Sequence, residues 1–593
     1  MRRLAVVCGC ALLLVPAARA GTPTRPVYDS KGHVVATPFA PPPASPRLTK
    51  QRATDLFLAV PKVRHWLRHY PRRTWITEAA YSAKYANWTV KVWSGKAGEV
   101  ATGKVDDATG AATEGWTGPQ VAWKMARGYK GAFGGKEINS AAVWLAFCAA
   151  FLLGLADLRR PLSVRNLDLV VLLSFSVSLW YFNRGDVFTS VPLVYPPLAY
   201  LLGRMLWTGV RGRAPAAARP VWPVWVLAAA AVFVLGFRVG LNVQDSNVID
   251  VGYSGVVGAD RIAHGQSPYG HFPVEDRLKP CGPADTDGEI RNRIQTNGRC
   301  ESANPQGDTY GPVAYEAYLP GYWILGWSGK WDKLPAAHFT AIVFDLLAVA
   351  GLALVGLRFG GTRLAATLAF AWAAWPFTQY VSSSNTNDAI MPALLIWGFW
   401  LVSSPTARGV FASLAGWTKF AALLLVPLWA SYPERRPSRR QAIYFAAFAL
   451  ATLNAFAILL LEPNPLHAAR VFWDRTISWQ IGRDSPFSIW DWRQYHAGLP
   501  DLHVLQKVLA ALVVAGALAT YFVPRRKSPL QLAALTAALL IGFELVLTHW
   551  FYLYLPWFFP FVAVTVLAAR PSEARAAVEV PRGRETRELV AAG

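Results

Sequence analysis

Thirteen apolar stretches run through this 593-residue chain, most of them close to the ~20 residues that carry a helix across bilayer hydrocarbon. They fall at 139–157, 166–183, 187–207, 221–241, 312–328, 336–357, 364–382, 389–404, 409–430, 441–461, 502–523, 529–547 and 549–569. A water-soluble core has no place for so many. Inside lipid each backbone N–H and C=O must be satisfied internally, so a polytopic α-helical membrane protein is expected, with about thirteen spans. The stretches at 312–328 and 389–404 are short, which points to tilted, broken or partly re-entrant helices there. Hydrophobic residues make up 53% of the chain, and its 26 tryptophans suit interfacial belts on both faces of a bilayer.

The formal charge of +23 is a matter of topology rather than of nucleic-acid binding. Basic residues cluster beside apolar stretches, at Arg159-Arg160 with Arg165, Arg211 with Arg213 and Arg219, Lys330 with Lys333, Arg435-Arg436 with Arg439-Arg440, and Arg525-Arg526-Lys527. That is the positive-inside pattern. Arg358 and Arg363 break the alternation. A second arrangement, with 312–328 interfacial and 409–430 folded as a re-entrant hairpin, restores those two arginines to the inner side. The two long loops stay outside in both.

The first twenty residues read as a secretory signal ending Ala18-Arg19-Ala20, or as an uncleaved first anchor. Residues 21–51 form a Pro-rich tether, and 570–593 a cytoplasmic tail. Between tether and membrane, 52–138 should be a small extracytoplasmic domain. A helix is expected over 53–66, a strand over Trp88–Trp93, a turn at Gly95–Gly98, a returning strand over Glu99–Val105 and a second turn at Asp106–Gly110. Helix, short strands and this W-x-V and D-x-x-T-G punctuation resemble a PepSY-like α+β module. That resemblance carries no active-site constellation and implies packing or docking.

Residues 242–311 and 462–501 make two large external loops. Loops of this length without regular structure are commonly functional. Of five cysteines, Cys8 and Cys10 lie in the leader and Cys148 in an apolar stretch. Cys281 and Cys300 fall in the first loop, where an oxidising compartment would let them pair and stabilise it by roughly 3 kcal/mol. No CxxC or Cys/His cluster indicates a zinc site, and no metal ligands are assigned.

Asp245 and Asp250 follow closely on the stretch ending near Leu241. A carboxylate at the water–lipid boundary can take a proton from an attacking hydroxyl; a helix cap or a solvated loop residue is the plainer role for either. Glu316 and Asp345 lie inside apolar stretches, where ionisable groups are costly and serve either a site or a buried hydrogen-bond network. Lys419 is alone in its stretch, and its ammonium needs a partner, a cavity or a headgroup. Ser382–Asp388 reads as a polar turn, and Trp550–Trp557 as an interfacial belt.

The runs Asp250-Val-Gly-Tyr253, Gly265-Gln-Ser-Pro268-Tyr269 and Tyr310-Gly-Pro312 resemble elements of the C-type (GT-C) polytopic glycosyltransferases, in particular the polyprenyl-phosphate-mannose-dependent mannosyltransferases. The likeness covers 221–569, with 462–501 as the second external loop; 139–207 would be accessory helices, and the 276–309 insertion departs from the pattern. The resemblance implies a hexosyltransferase, mannose being the sugar of that branch, which inverts configuration with Asp250 as general base and Asp245 as the competing carboxylate. It implies a polyprenyl-phosphate sugar donor and a glycan, glycolipid or protein acceptor in the cell envelope. The leaving phosphate requires cations or strong donors. Arg261, His264, Arg475 and His549 are candidates, with Lys419 secondary and Tyr253, Tyr269 and Tyr310 shaping the pocket. No Walker loop, GxGxxG or DxD motif is present, in keeping with a lipid-linked donor. No cofactor is assigned, and a divalent metal stays open. The rivals are a lipid-linked glycan transport or assembly factor, which needs a continuous polar path, and a membrane-anchored sensor or interaction protein.

Overall fold

The computed structural model describes residues 27–28, 34–36, 45–83, 85–122, 133–212, 222–272, 293–294, 300–301, 307–329, 334–434, 438–481, 483, 485–496 and 498–568. The leader, most of the tether, the C-terminal tail and the expected Cys281–Cys300 pairing lie outside the described residues. The chain divides into two compact units, Met1–Val121 and Ala122–Gly593.

The first unit opens with a two-stranded antiparallel hairpin, β1 (Val27–Tyr28) and β2 (Val34–Ala36). Helix α1 (Lys50–Ala59) starts at Thr49, whose hydroxyl accepts the Arg52 N–H at 3.1 Å. The single helix expected over 53–66 is in fact two, because the residue before Pro61 is pushed out of the helical region and α2 (Pro61–Leu67) starts afresh. Four antiparallel strands follow in the order β3 (Trp75–Ser82), β4 (Asn87–Ser94), β5 (Glu99–Asp106) and β6 (Ala112–Thr117). Trp88, Val90 and Val92 alternate along β4 and are buried on its inner face. Gly103 on β5 is required by close packing, since a Cβ there would stand 2.4 Å from the Phe57 ring.

The second unit is helical. Among the described residues six helices are long and apolar enough to cross a bilayer: Val164–Phe182, Val224–Asp245, Pro335–Ala374, Arg439–Leu461, His503–Phe522 and Pro529–Val546. In chain order the elements are α3 (Ala141–Leu155), α4 (Val164–Phe182), α5 (Tyr195–Arg211), α6 (Val224–Asp245), α7 (Asp250–Ala263), α8 (Pro312–Glu316), α9 (Leu319–Leu325) and α10 (Pro335–Ala374). After them come α11 (Pro376–Ser384), α12 (Ile390–Trp400), α13 (Pro405–Thr418), α14 (Val426–Ala430), α15 (Arg439–Ala455), α16 (Pro465–Trp473), α17 (His503–Phe522), α18 (Pro529–Val546) and α19 (Phe559–Leu567).

The stretch 312–328 does not form one span: it breaks into α8 and α9, each too short to cross. Helix α10 is really a hairpin. Gly361 takes φ +74°, and a Cβ on Gly356 would stand 2.4 Å from the Ala365 backbone, so the limbs fold tightly back. Arg358 and Arg363 flank that turn. Residues 405–430 also double back, with Lys419 at the tip: a Cβ on Gly416 would stand 2.4 Å from Leu423, and the Arg408 guanidinium lies 5.3 Å from the Tyr432 ring.

The core between helices is aromatic. Trp372, Trp375, Phe377 and Phe559 are buried, with the rings of Trp375 and Phe559 stacked at 4.0 Å. Crossing it is a buried ion pair: Arg238 Nε and Nη2 donate to Asp345 at 3.0 and 2.5 Å, and Trp372 Nε1 donates to the same carboxylate at 2.7 Å. Arg238 Nη1 completes its bonding on the Ala373 carbonyl and Thr378 Oγ1. Asp345 is thereby assigned to structure.

Candidate functional site

Asp250 is the first residue of α7, and its position is fixed from below by a polar knot. The helix α11 ends at Asn385 in the left-handed region (φ +53°), a conformation asparagine tolerates better than most residues. That turn presents backbone carbonyls to the chain leading into α7: Asn247 N donates to Ser383 O at 3.1 Å and Ile249 N to Ser384 O at 3.4 Å. The Asn385 amide answers by donating to Ser246 Oγ and to the Asn247 carbonyl, both at 2.9 Å. Asn242 donates to Ser382 O at 2.6 Å and Asn385 Oδ1 at 2.9 Å, which binds the end of α6 into the same knot. The run Ser382–Asp388 is buried, and the bonds of Asn385 together with the Lys419 ion pair of Asp388 offset part of the cost, while Asn387 Oδ1 has no hydrogen-bond partner among the described residues.

The glycines of the Asp250 run have a packing reason that sequence alone does not disclose. Gly252, Gly255 and Gly258 lie on one face of α7. A Cβ there would stand 2.2 Å from Asn385 O, 2.4 Å from the Tyr318 ring and 2.2 Å from the Tyr315 ring. Helix α7 thus presses directly on α8 and on the Asn385 turn, holding Asp250 at the junction. The carboxylate accepts the Val251 N–H at 3.0 Å.

Around that junction the structure gathers Tyr310, Asp388, Lys419, Arg483 and Tyr554. Lys419 Nζ is 2.9 Å from Asp388 Oδ1, and stands over the rings of Tyr310 (4.8 Å), Trp557 (5.5 Å) and Tyr554 (5.8 Å). The ammonium is thus held by one carboxylate inside an aromatic cage. Tyr310 is half-buried within reach of several charges. Burial, then the Asp250 charge, then Tyr554 and Asp388 push its phenol well above the usual pKa, with Arg483 opposing. Its hydroxyl is therefore a neutral donor at physiological pH. The turn that carries it rests on α13, where a Cβ on Gly311 would stand 2.0 Å from Trp417 O.

His549 belongs to the same neighbourhood: its Nδ1 is 2.9 Å from Ser485 Oγ, and Arg483 and Lys419 lie within electrostatic reach. Arg483 lies 4.7 Å over the Trp479 ring. Glu544 is buried close by, accepting from Trp550 Nε1 at 3.1 Å, while its other oxygen has no hydrogen-bond partner among the described residues.

The other residues singled out from sequence are placed elsewhere. Asp245 accepts the Glu137 N–H at 2.8 Å and abuts Gly135, anchoring that turn. Arg261 donates to the His271 carbonyl at 3.1 Å, and Asp260 faces both Arg261 (3.8 Å) and an exposed His264 (3.4 Å). Tyr253 is buried against Trp327. Tyr269 is also buried, which raises its pKa well above the ordinary value, and donates to the Tyr310 carbonyl at 2.9 Å, so it positions Tyr310. Arg475 makes a two-point contact with Asp308, at 2.8 and 2.6 Å, which raises its pKa and uses up its fork. Glu316 has burial as the cause of its perturbation and no assigned partner in the site.

Sequence reading left Asp388 in a polar turn, did not single out Glu544, and took Tyr554 and Trp557 for part of an interfacial belt. One signal was available: seven consecutive polar residues between apolar helices can be buried only as a bonded knot. Among the described residues no three or more His, Cys, Asp or Glu side chains stand together as a metal site. Comparison with protein-family models finds none that matches this chain, and comparison with curated proteins finds no significant match.

Proposed function

We propose that the chain is an integral membrane glycosyltransferase that moves a hexose, with mannose the first candidate, from a polyprenyl-phosphate donor to a cell-envelope acceptor. The observation that carries this reading is one neighbourhood in which Lys419, paired with Asp388 at 2.9 Å, stands over the ring of a half-buried Tyr310 that lies within electrostatic reach of Asp250 and Arg483. A base and two cations in one neighbourhood are what inverting sugar transfer from a phosphate requires.

Asp250 takes the proton of the acceptor hydroxyl as that oxygen forms its bond to the anomeric carbon. The bond from that carbon to the phosphate oxygen breaks, and its electron pair leaves with the polyprenyl phosphate. Lys419 and Arg483 meet the charge that builds there, and the neutral Tyr310 phenol adds a hydrogen bond. Arg261, His264 and Arg475, which had been candidates for that role, are occupied elsewhere. Asp388 is the resting partner of Lys419, 2.9 Å from its ammonium.

The test is to give the purified full chain a panel of radiolabelled polyprenyl-phosphate sugars in detergent with membrane-extract acceptors. Labelled product and free polyprenyl phosphate in equal amounts are expected, with the anomeric configuration inverted by NMR. Binding of such a lipid without turnover would favour a transport or assembly role, and no binding of any would favour a sensor or interaction protein.

A further inference from the structure

Away from the Lys419 pocket, helices α13 and α15 run side by side and leave a groove on their outer surface. It encloses about 580 Å³ and is lined by Thr406, Val410, Leu414, Ile443, Leu450 and Asn454 over a floor of alanines. No charged side chain lines it. The groove exists because the helices touch most closely behind it: a Cβ on Gly409 would stand 2.3 Å from Tyr444 O. Mostly branched residues form the walls and alanines the floor, so the surface offered is that of an apolar trough. From Thr406 to Leu414 the helical rise is about 12 Å.

The two ends differ. At one, Trp417 Nε1 donates to Thr452 Oγ1 at 2.9 Å and the Trp417 ring meets Phe456 at 4.7 Å, so the two helices are bridged there. At the other, Arg439 and Arg440 stand one turn before Ile443, both exposed, in the sequence Arg435-Arg436-Pro-Ser-Arg439-Arg440. An uncharged channel with a strongly basic mouth at one end complements an anionic amphiphile.

We propose that the α13–α15 groove holds one acyl chain of an anionic glycerophospholipid, whose phosphate sits against Arg439 and Arg440. The site stands apart from the proposed sugar transfer and does not depend on it.

The experiment uses the full chain in phosphatidylcholine nanodiscs doped with a phosphatidylglycerol that carries a diazirine on one acyl chain. Cross-links are expected in peptides covering 406–414 and 443–454, competed by plain phosphatidylglycerol and not by added phosphatidylcholine. Removing mouth charge with Arg439→Gln and Arg440→Gln should weaken labelling roughly fivefold for each arginine at low salt. Ala446→Trp, at an exposed position on the floor, should abolish labelling while leaving the thermal midpoint unchanged. The proposal is overturned by absence of labelling in these peptides, by competition from phosphatidylcholine as strong as from phosphatidylglycerol, or by displacement with polyprenyl phosphate and not with phosphatidylglycerol.

Discussion

Lys419 and Asp388 cannot be removed one at a time without leaving a buried charge alone. Lys419→Met should therefore cost about 3–5 kcal/mol of stability, because the Asp388 carboxylate is 1% exposed and loses its only ion-pair partner among the described residues. The double variant Lys419→Met with Asp388→Asn should recover most of that stability, read as the thermal midpoint. It should still turn over donor roughly 100-fold more slowly, since a cation facing the leaving phosphate is gone. Recovery of both stability and turnover would leave Lys419 a purely structural residue. The need for a partner was legible in sequence, from one ammonium in an apolar stretch. Which residue supplies it was not: Asp388 is far away in the chain, and periodicity says nothing about tertiary pairing.

At the level of elements, the contacts of α7 and α10 decide what substitutions do. Gly255→Val would drive a branched side chain into the Tyr318 ring, so a loss of about 1–3 kcal/mol is expected, with turnover reduced because Asp250 rides on the same helix. Asp345→Ala leaves Arg238 buried with two unmatched donors and should cost about 3–5 kcal/mol without changing donor affinity in the folded fraction. Chemical denaturation in mixed micelles measures both. The first limb of α10 was readable as 336–357, whereas the expected 364–382 breaks at Trp375, ahead of Pro376, so that its first part is the second limb of α10 and its remainder is α11. The fate of 312–328 was not readable, because hydropathy alone does not separate two short helices from one tilted span. In the first unit β4 and β5 followed from alternation and turn residues. Strand β3, with its exposed and mixed side chains, offered no such pattern.

Across the whole second unit, the two long loops at 242–311 and 462–501 are tied to each other. Arg475 from the second grips Asp308 from the first, and Glu462 accepts the Ser267 N–H at 2.9 Å and meets His271 at 3.1 Å. Those contacts carry Arg483 and Ser485 toward Tyr310 and His549. Asp308→Ala should therefore raise trypsin cleavage within 462–501 and lower turnover, while leaving the helices intact by circular dichroism. Unchanged cleavage would mean that the loops hold their place without this pair. The sequence marked both loops as external and functional but assigned Arg475 to phosphate, because a free guanidinium and a paired one look alike until the partner is placed.

Rates of sugar transfer by Asp250→Asn and Asp245→Asn, measured side by side at saturating donor, test the central claim most directly. Asp250→Asn should lower kcat by roughly 10²- to 10⁴-fold with donor KM nearly unchanged. Asp245→Asn, which keeps an oxygen for the Glu137 N–H, should stay within a few-fold of the parent. An Asp250→Asn enzyme that transfers sugar at the parent rate would contradict the assignment of that carboxylate as the base.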